Sequence, residues 1–276
     1  MNTQALRRGK LAPLFLALFF ATTLFAQMGG TSVPPSLGRD QDKSKEPTAK
    51  LTDREVKAFK AFDAIPISEV DKKVKAGQDF IKKFPNSPLL PDVYANLSVT
   101  YIQSNQQDKG LAAGEQALAL NPNDTRTMAN LAQALARQSK PTDADTQKAE
   151  QYAQKAIQLI PALPKPEGVT QQDFAAADSQ TLAEAHSALG TLKIRRGQYA
   201  QAISDLQEAV RLDTTKDVTN FYLLAVANDY SSHFAEAVDA YTKCAAFPGN
   251  LQKPCQDGAA EAQKHVPPKS SAPAKP

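Results

Sequence analysis

The sequence predicts an all-α chain: a right-handed α-solenoid of about five stacked antiparallel helix pairs with a C-terminal closing helix. Three observations carry this. Residues 51–265 are rich in Ala and repeat their apolar positions at helical spacing. Runs of β-branched residues are short and do not alternate; the best strand candidate, SVTYI at 98–102, lies inside a helical pattern. One template also recurs in four segments.

The template is a Leu-small pair on one helix, then a second helix with Ala, a packing residue and Ala at regular spacing. In 91–124, Tyr94, Leu97, Ser98 and Tyr101 precede Gly110, Gly114, Ala117 and Pro122. In 125–163, Met128, Leu131, Ala132 and Leu135 precede Ala149, Ala153, Ala156 and Pro161, with five extra residues between. In 183–216, His186, Leu189, Gly190 and Lys193 precede Ala202, Leu206 and Ala209. In 218–251, Phe221, Leu224, Ala225 and Asn228 precede Ala237, Tyr241 and Cys244. Small residues belong where the two helices cross, and large ones fill the gaps between successive pairs. Pro122 and Pro161 stop second helices, since proline has no N–H and clashes with the preceding turn. One pair cannot bury its own apolar face, so pairs stack.

Upstream, 54–87 reads as a degenerate unit, REVKAFKAF followed by EVDKKVKAGQDFIKKFPNSP. An insertion, 164–182, precedes the third clear unit; Thr170 and Asp173 start it like a capping box, which predicts one lengthened helix over 171–196. Residues 251–265 (LQKPCQDGAAEAQKH) read as the closing helix.

The ends read differently. Residues 1–10 carry Arg7, Arg8 and Lys10 and no acid, and 11–26 (LAPLFLALFFATTLFA) carry no charge. This is the pattern of a secretory signal peptide cleaved after Ala26. The alternative is an uncleaved anchor, although sixteen uncharged residues fall short of the roughly 20 that span a bilayer. Either way, the positive n-region places the remainder outside the cytoplasm, in the periplasm or beyond, with no membrane span after cleavage. Residues 27–50 mix Gly, Pro, Ser and charges as a flexible linker does, and 266–276 (VPPKSSAPAKP) read as an extended, disordered tail.

Charge excludes some functions. The chain has 32 Lys and Arg against 29 Asp and Glu, and the excess of three is Arg7, Arg8 and Lys10, so residues 27–276 carry 29 of each sign. A nucleic-acid partner calls for a basic excess on the folded part, and there is none. His186, His233 and His265 have no second His or Cys at zinc-ligand spacing, so no metal or cofactor is expected. His186 fills a packing slot; the other two sit beside carboxylates at ordinary helical spacing. No Ser nucleophile elbow, His-Glu-x-x-His pair or Gly-rich phosphate loop occurs. An enzyme would need a site in 164–182, whose only candidates are Lys165, Glu167, Asp173 and Asp178. No catalytic residue is therefore assigned.

The two cysteines form an even set in an exported chain. Cys244 ends the last second-helix pattern, and Cys255 opens the closing helix after the turn FPGN. That hairpin brings them into bonding range, and a Cys244–Cys255 disulfide is expected; the alternative is that Cys244 only packs.

The template resembles the tetratricopeptide repeat family, whose 34-residue pattern is W-x2-L-G-x2-Y, then A-x3-F, then P. The unit 183–216 comes nearest, with Leu189-Gly190, Gly197-x-Tyr199 and Ala202 in register, while 91–124 matches in spacing and keeps Asn121-Pro122. No Trp fills the first aromatic slot, Lys193 and Asn228 stand where an aromatic is usual, and Thr214 stands for Pro. The degenerate first unit resembles those of bacterial envelope repeat proteins. The resemblance implies a groove, lined by the first helices, that binds protein or peptide. By register its face would show Val99, Ile102, Asn130, Gln133, Arg137, Thr191, Ile194, Arg195, Tyr222, Val226 and Asp229. The family's clamp for C-terminal carboxylates is not implied, because Ala95 and Val99 occupy the first-unit positions. The implied function is a non-catalytic scaffold in the cell envelope; the alternative is an accessory or sensor subunit of an envelope enzyme complex.

Overall fold

The computed structural model describes residues 51–267. The expected signal peptide (1–26) and linker (27–50) fall outside the described residues, as does the expected tail from residue 268 onward. Among the described residues there are eleven α-helices and no strand.

Consecutive helices pair. The pairs are α1 (Asp53–Asp63) with α2 (Val70–Lys83), α3 (Leu90–Gln103) with α4 (Gln107–Leu120), and α5 (Thr125–Ala136) with α6 (Asp143–Leu159). Then come α7 (Gln171–Arg195) with α8 (Tyr199–Leu212), and α9 (Val218–Tyr230) with α10 (Phe234–Ala245). The last helix, α11 (Gln252–Gln263), packs on α10. Each pair also packs on the next, through α2 on α3, α4 on α5, α5 on α7 and α8 on α9.

Local chemistry places the helix starts. Thr52 and Glu55 cap α1 reciprocally, as Thr142 and Asp145 cap α6. Asp124, Thr170 and Asp217 accept backbone N–H groups that α5, α7 and α9 would otherwise leave unpaired. The Thr170 cap opens a single 25-residue helix that carries the insertion straight into the third clear unit. Pro161 sits in a 3-10 turn, Ile160–Ala162, that ends α6.

One turn recurs. Asn105, Gly197 and Ser232 all adopt left-handed backbone, with φ of 61°, 72° and 64°. Each stands between the helices of a pair, and each is followed by an N–H bonded five residues back: Gln106 to Tyr101, Gln198 to Lys193 and His233 to Asn228. This closure satisfies carbonyls at the end of the first helix and reverses the chain. Gly takes the conformation freely and Asn at small cost, whereas Ser232 bears the Cβ strain. The α5/α6 pair lacks this turn because six residues, 137–142, join its helices, where three join each pair that has it.

Small residues set the crossing distances. A Cβ on Gly190 would lie 2.5 Å from Leu206 Cγ, and one on Gly114 2.6 Å from Leu131 Cδ2. Ala149, Ala153 and Ala156 of α6 are fully buried, as are Ala202 and Ala209 of α8. At the N-terminal end, Phe59, Phe62 and Phe80 fill the gap between α1 and α2. Lys73 is buried there; its Nζ donates to the carbonyls of Asp63 and Ile65 at the end of α1 and lies 5.0 Å from the Phe62 ring centre. Burial lowers its pKa, against the opposing pull of Asp63.

At the C-terminal end α11 covers a cluster of Ala225, Ala237, Ala240 and Tyr241. It is anchored by a disulfide between Cys244 and Cys255, whose Cα atoms are 5.9 Å apart. Gly258 admits the Tyr241 ring, since a Cβ there would lie 2.6 Å from Tyr241 Cζ. No helix among the described residues is long and apolar enough to cross a membrane.

Candidate functional site

The first helices α5, α7 and α9 present a polar seam. On α5, Arg126, Asn130, Gln133 and Arg137 follow at intervals of four, three and four residues, and so lie along one stripe of the helix. Arg137 leaves that stripe and reaches past α7. Its Nη2 donates to Asp217 Oδ2 at 2.7 Å and to Ser187 Oγ at 3.2 Å. Ser187 donates in turn to Asn220 Oδ1 at 2.6 Å, and Asn220 donates to Asp213 Oδ2 at 3.2 Å. Five side chains from three successive units are thus tied together. Arg137 Nε is buried without a hydrogen-bond partner among the described residues.

The acids of this seam differ in charge preference. Asp217 is half-buried, and that burial raises its pKa. The Arg137 charge and its hydrogen bond, with the Thr219 bonds, outweigh burial and hold the carboxyl below its ordinary value. Glu184, one turn before Ser187 on α7, goes the other way. Burial raises its pKa, and the Gln180 hydrogen bond and the charges of Arg126 and Arg137 do not fully offset it; Asp213 adds to the rise.

The residues implied by the family register divide. Asn130 and Gln133 are half-buried, and their side chains make no hydrogen bond among the described residues. Val99 is half-buried on α3, and Ile102 packs onto Gly110 of α4. Thr191 is a correction: it is buried and gives its hydroxyl to the Ser187 carbonyl at 2.7 Å, so it offers nothing to a ligand. Ile194 is another, packed against Ala202, Leu206, Leu223 and Ala227. Tyr222 and Val226 pack into the C-terminal cluster, with the Tyr222 ring 6.3 Å from that of Tyr241. Arg195 is exposed, and its guanidinium donates to the Gln138 carbonyl. Asp229 is half-buried toward the closing helix, and burial raises its pKa against the pull of His265.

Sequence reasoning missed Arg126, Glu184, Ser187, Asp213, Asp217 and Asn220. Asp217 had a signal as the N-cap of α9; the link of Ser187 to Arg137 and Asn220 had none, because those partners lie on different helices.

Outside the groove, Asp205 of α8 joins the helices of its pair. It accepts from Lys193 and meets His186 Nδ1 at 2.9 Å. Burial raises its pKa, but the His186 and Lys193 bonds outweigh that and lower it. In the insertion, Asp173 accepts the Thr170 hydroxyl as part of the cap, Lys165 donates to the Val169 carbonyl, and burial raises Asp178. Glu167 is exposed. A depression of about 510 Å³ lies on the other side of α9, between α8 and α10, bordered by Arg211, Glu236, Asp239 and Lys243. Among the described residues no three of His, Cys, Asp and Glu stand close enough to hold a metal ion.

These helix pairs, stacked in chain order with a seam across their first helices, define an α-solenoid. Two of its pairs, residues 91–124 and 183–216, match the tetratricopeptide repeat model. Among solved structures, a thermophilic TPR protein of Thermus thermophilus is similar at 17% identity and a TM-score of 0.43, over 76% of this chain and 96% of that one. The TPR domain of P58(IPK) is similar at 14% identity and a TM-score of 0.27, over 76% of this chain and 65% of that one. No curated protein matches the chain.

Proposed function

We propose that this chain is a non-catalytic scaffold that holds an extended segment of another protein along the α5–α7 face, and that it acts outside the cytoplasm after export on residues 1–26. The observation that carries the binding role is the α5 stripe. Asn130 and Gln133 each offer an amide donor and an amide acceptor with no hydrogen-bond partner among the described residues. A peptide backbone presents the complementary pair at every residue. Arg126 stands on the same stripe and is exposed. Support for the non-catalytic role comes from the carboxylates themselves. Asp173, Asp205 and Asp217 are engaged in caps and ion pairs, not gathered around a cavity.

A peptide library displayed on phage, selected against the purified chain, tests the binding role. Selected peptides should lose about tenfold or more in affinity for the double variant Asn130→Ala, Gln133→Ala, with its thermal unfolding unchanged. Equal affinity for that variant would remove the α5 stripe as the interface. N-terminal sequencing of the chain from an envelope fraction tests export; a start at or near Gln27 is expected, and an intact Met1 would leave an anchored chain.

A further inference from the structure

The carboxylate of Glu184 stands in the seam without a counter-charge in contact. It is half-buried on α7, where its Oε1 accepts from Gln180 Nε2 at 3.2 Å. It makes no other hydrogen bond and no ion pair among the described residues, so Oε2 has no donor. Gln180 is itself pinned, since its Oε1 accepts the Thr214 N–H at 3.0 Å and the Thr214 hydroxyl at 2.8 Å. The neighbouring acids are placed differently. Asp217 pairs with Arg137, and Asp213 accepts from Thr215, from the Asp217 N–H and from Asn220.

The groups that Glu184 faces locate it. Arg126 and Arg137 of α5, and Asp213 between α8 and α9, are within electrostatic range; on α7 itself its neighbour is Gln180. The two arginines bracket the α5 stripe, roughly 16 Å apart along the helix, and Asn130 and Gln133 lie between them. Glu184 therefore stands opposite the middle of that stripe. Neither arginine serves as its ion-pair partner, because Arg137 is turned to Asp217 and Arg126 is exposed. We propose that the peptide held on the α5–α7 face presents a lysine or arginine side chain to Glu184 while Asn130 and Gln133 hold its backbone. This rests on the α5 stripe as the binding surface.

A half-buried carboxyl can be satisfied by a proton or by a cation. In the free chain burial favours the proton and raises Glu184. A cationic side chain on the peptide favours the ionised form and supplies the donor that Oε2 lacks, so binding recovers a desolvation cost that the free chain carries. The linkage has a sign. Binding releases the proton from a protonated Glu184, so affinity rises with pH through the free-chain value and levels off above it.

Phage-displayed random peptides, selected in parallel against the full chain and its Glu184→Gln variant, test this. Pools from the full chain should carry Lys or Arg at one register position, and pools from the variant should not. In a selected peptide, norleucine at that position should cost about tenfold in affinity for the full chain and nothing for Glu184→Gln. Lowering the pH from about 7 to about 4 should weaken the full chain's binding more than the variant's. An equal share of basic residues in the two pools, or an equal loss to norleucine in both proteins, would overturn the proposal. The α5 stripe is judged separately, by the affinity of the selected peptides for the Asn130→Ala, Gln133→Ala variant. A library that yields no binder to either protein would overturn the stripe and the cation together.

Discussion

Arg137 and Asp217 are 80 residues apart, on units two steps removed, and their side chains meet at 2.7 Å. The pair spans α7, so it measures how closely the first helices are drawn together. Its members keep 18% and 27% of their side-chain surface, so each charge is only partly desolvated. Removing one partner strands the other. Asp217→Ala should therefore cost about 1–3 kcal/mol, below the roughly 3–5 kcal/mol of a fully buried pair. Urea unfolding of the variant reads this directly, and an unchanged midpoint would mean that the pair adds nothing to stability. The depressed Asp217 carboxyl also sets a pH window. Its contribution is complete above the unfolded value of about 3.9 and is lost as pH falls through its lower folded value.

Glu184 has the opposite sign. Its folded pKa is raised, so its ionised form burdens the fold at neutral pH, and that burden lifts as pH falls through the folded value toward the unfolded value of about 4.3. Glu184→Gln should be the more stable protein at pH 7, and the advantage should vanish below about pH 4. Thermal unfolding of both proteins across that range decides it. An advantage that persists in acid would assign the gain to packing and not to charge.

Ser232 occupies the left-handed position that Gly197 holds in the preceding unit. Ser232→Gly should stabilise by up to about 1 kcal/mol, as lost Cβ strain outweighs the added freedom of the unfolded chain. Gly197→Ser should destabilise by a similar amount. Denaturant midpoints moving in the same direction for the two exchanges would contradict the shared turn geometry.

The Cys244–Cys255 bond closes a loop of sequence separation 11 and holds a helix weakened by Pro254 and Gly258. In the chain-entropy model it is worth somewhat under roughly 3 kcal/mol. The double variant Cys244→Ala, Cys255→Ala should show hydrogen exchange rising in 237–265 first, with α3 to α8 still protected. Uniform loss of protection along the chain would mean that α11 holds the whole solenoid and not its end alone.

Much of this molecule is legible from short stretches of sequence. Thr170 with Asp173, Asp217 before Val218 and Pro161 after α6 are cap and stop signals acting within a few residues, and helical periodicity needs only one helix to be read. Gly190 and Ala202 likewise announce a close crossing. The cysteines sit on neighbouring elements of one hairpin, so their pairing too was within reach of local reasoning.

The groove was not. Thr191, Ile194, Tyr222 and Val226 hold groove positions by register, yet the structure turns or packs them into the contacts between helices. Arg137, read as one groove residue among others, is a strut to Asp217 that no local pattern announces. Sequence alone determined which segments are helices, how they pair and where they stop, because those follow from interactions over a few residues. The tertiary structure alone decided which side chains remain free for a partner. That depends on how tightly successive pairs curve, a property of the summed side-chain volumes at every crossing and not of any single repeat.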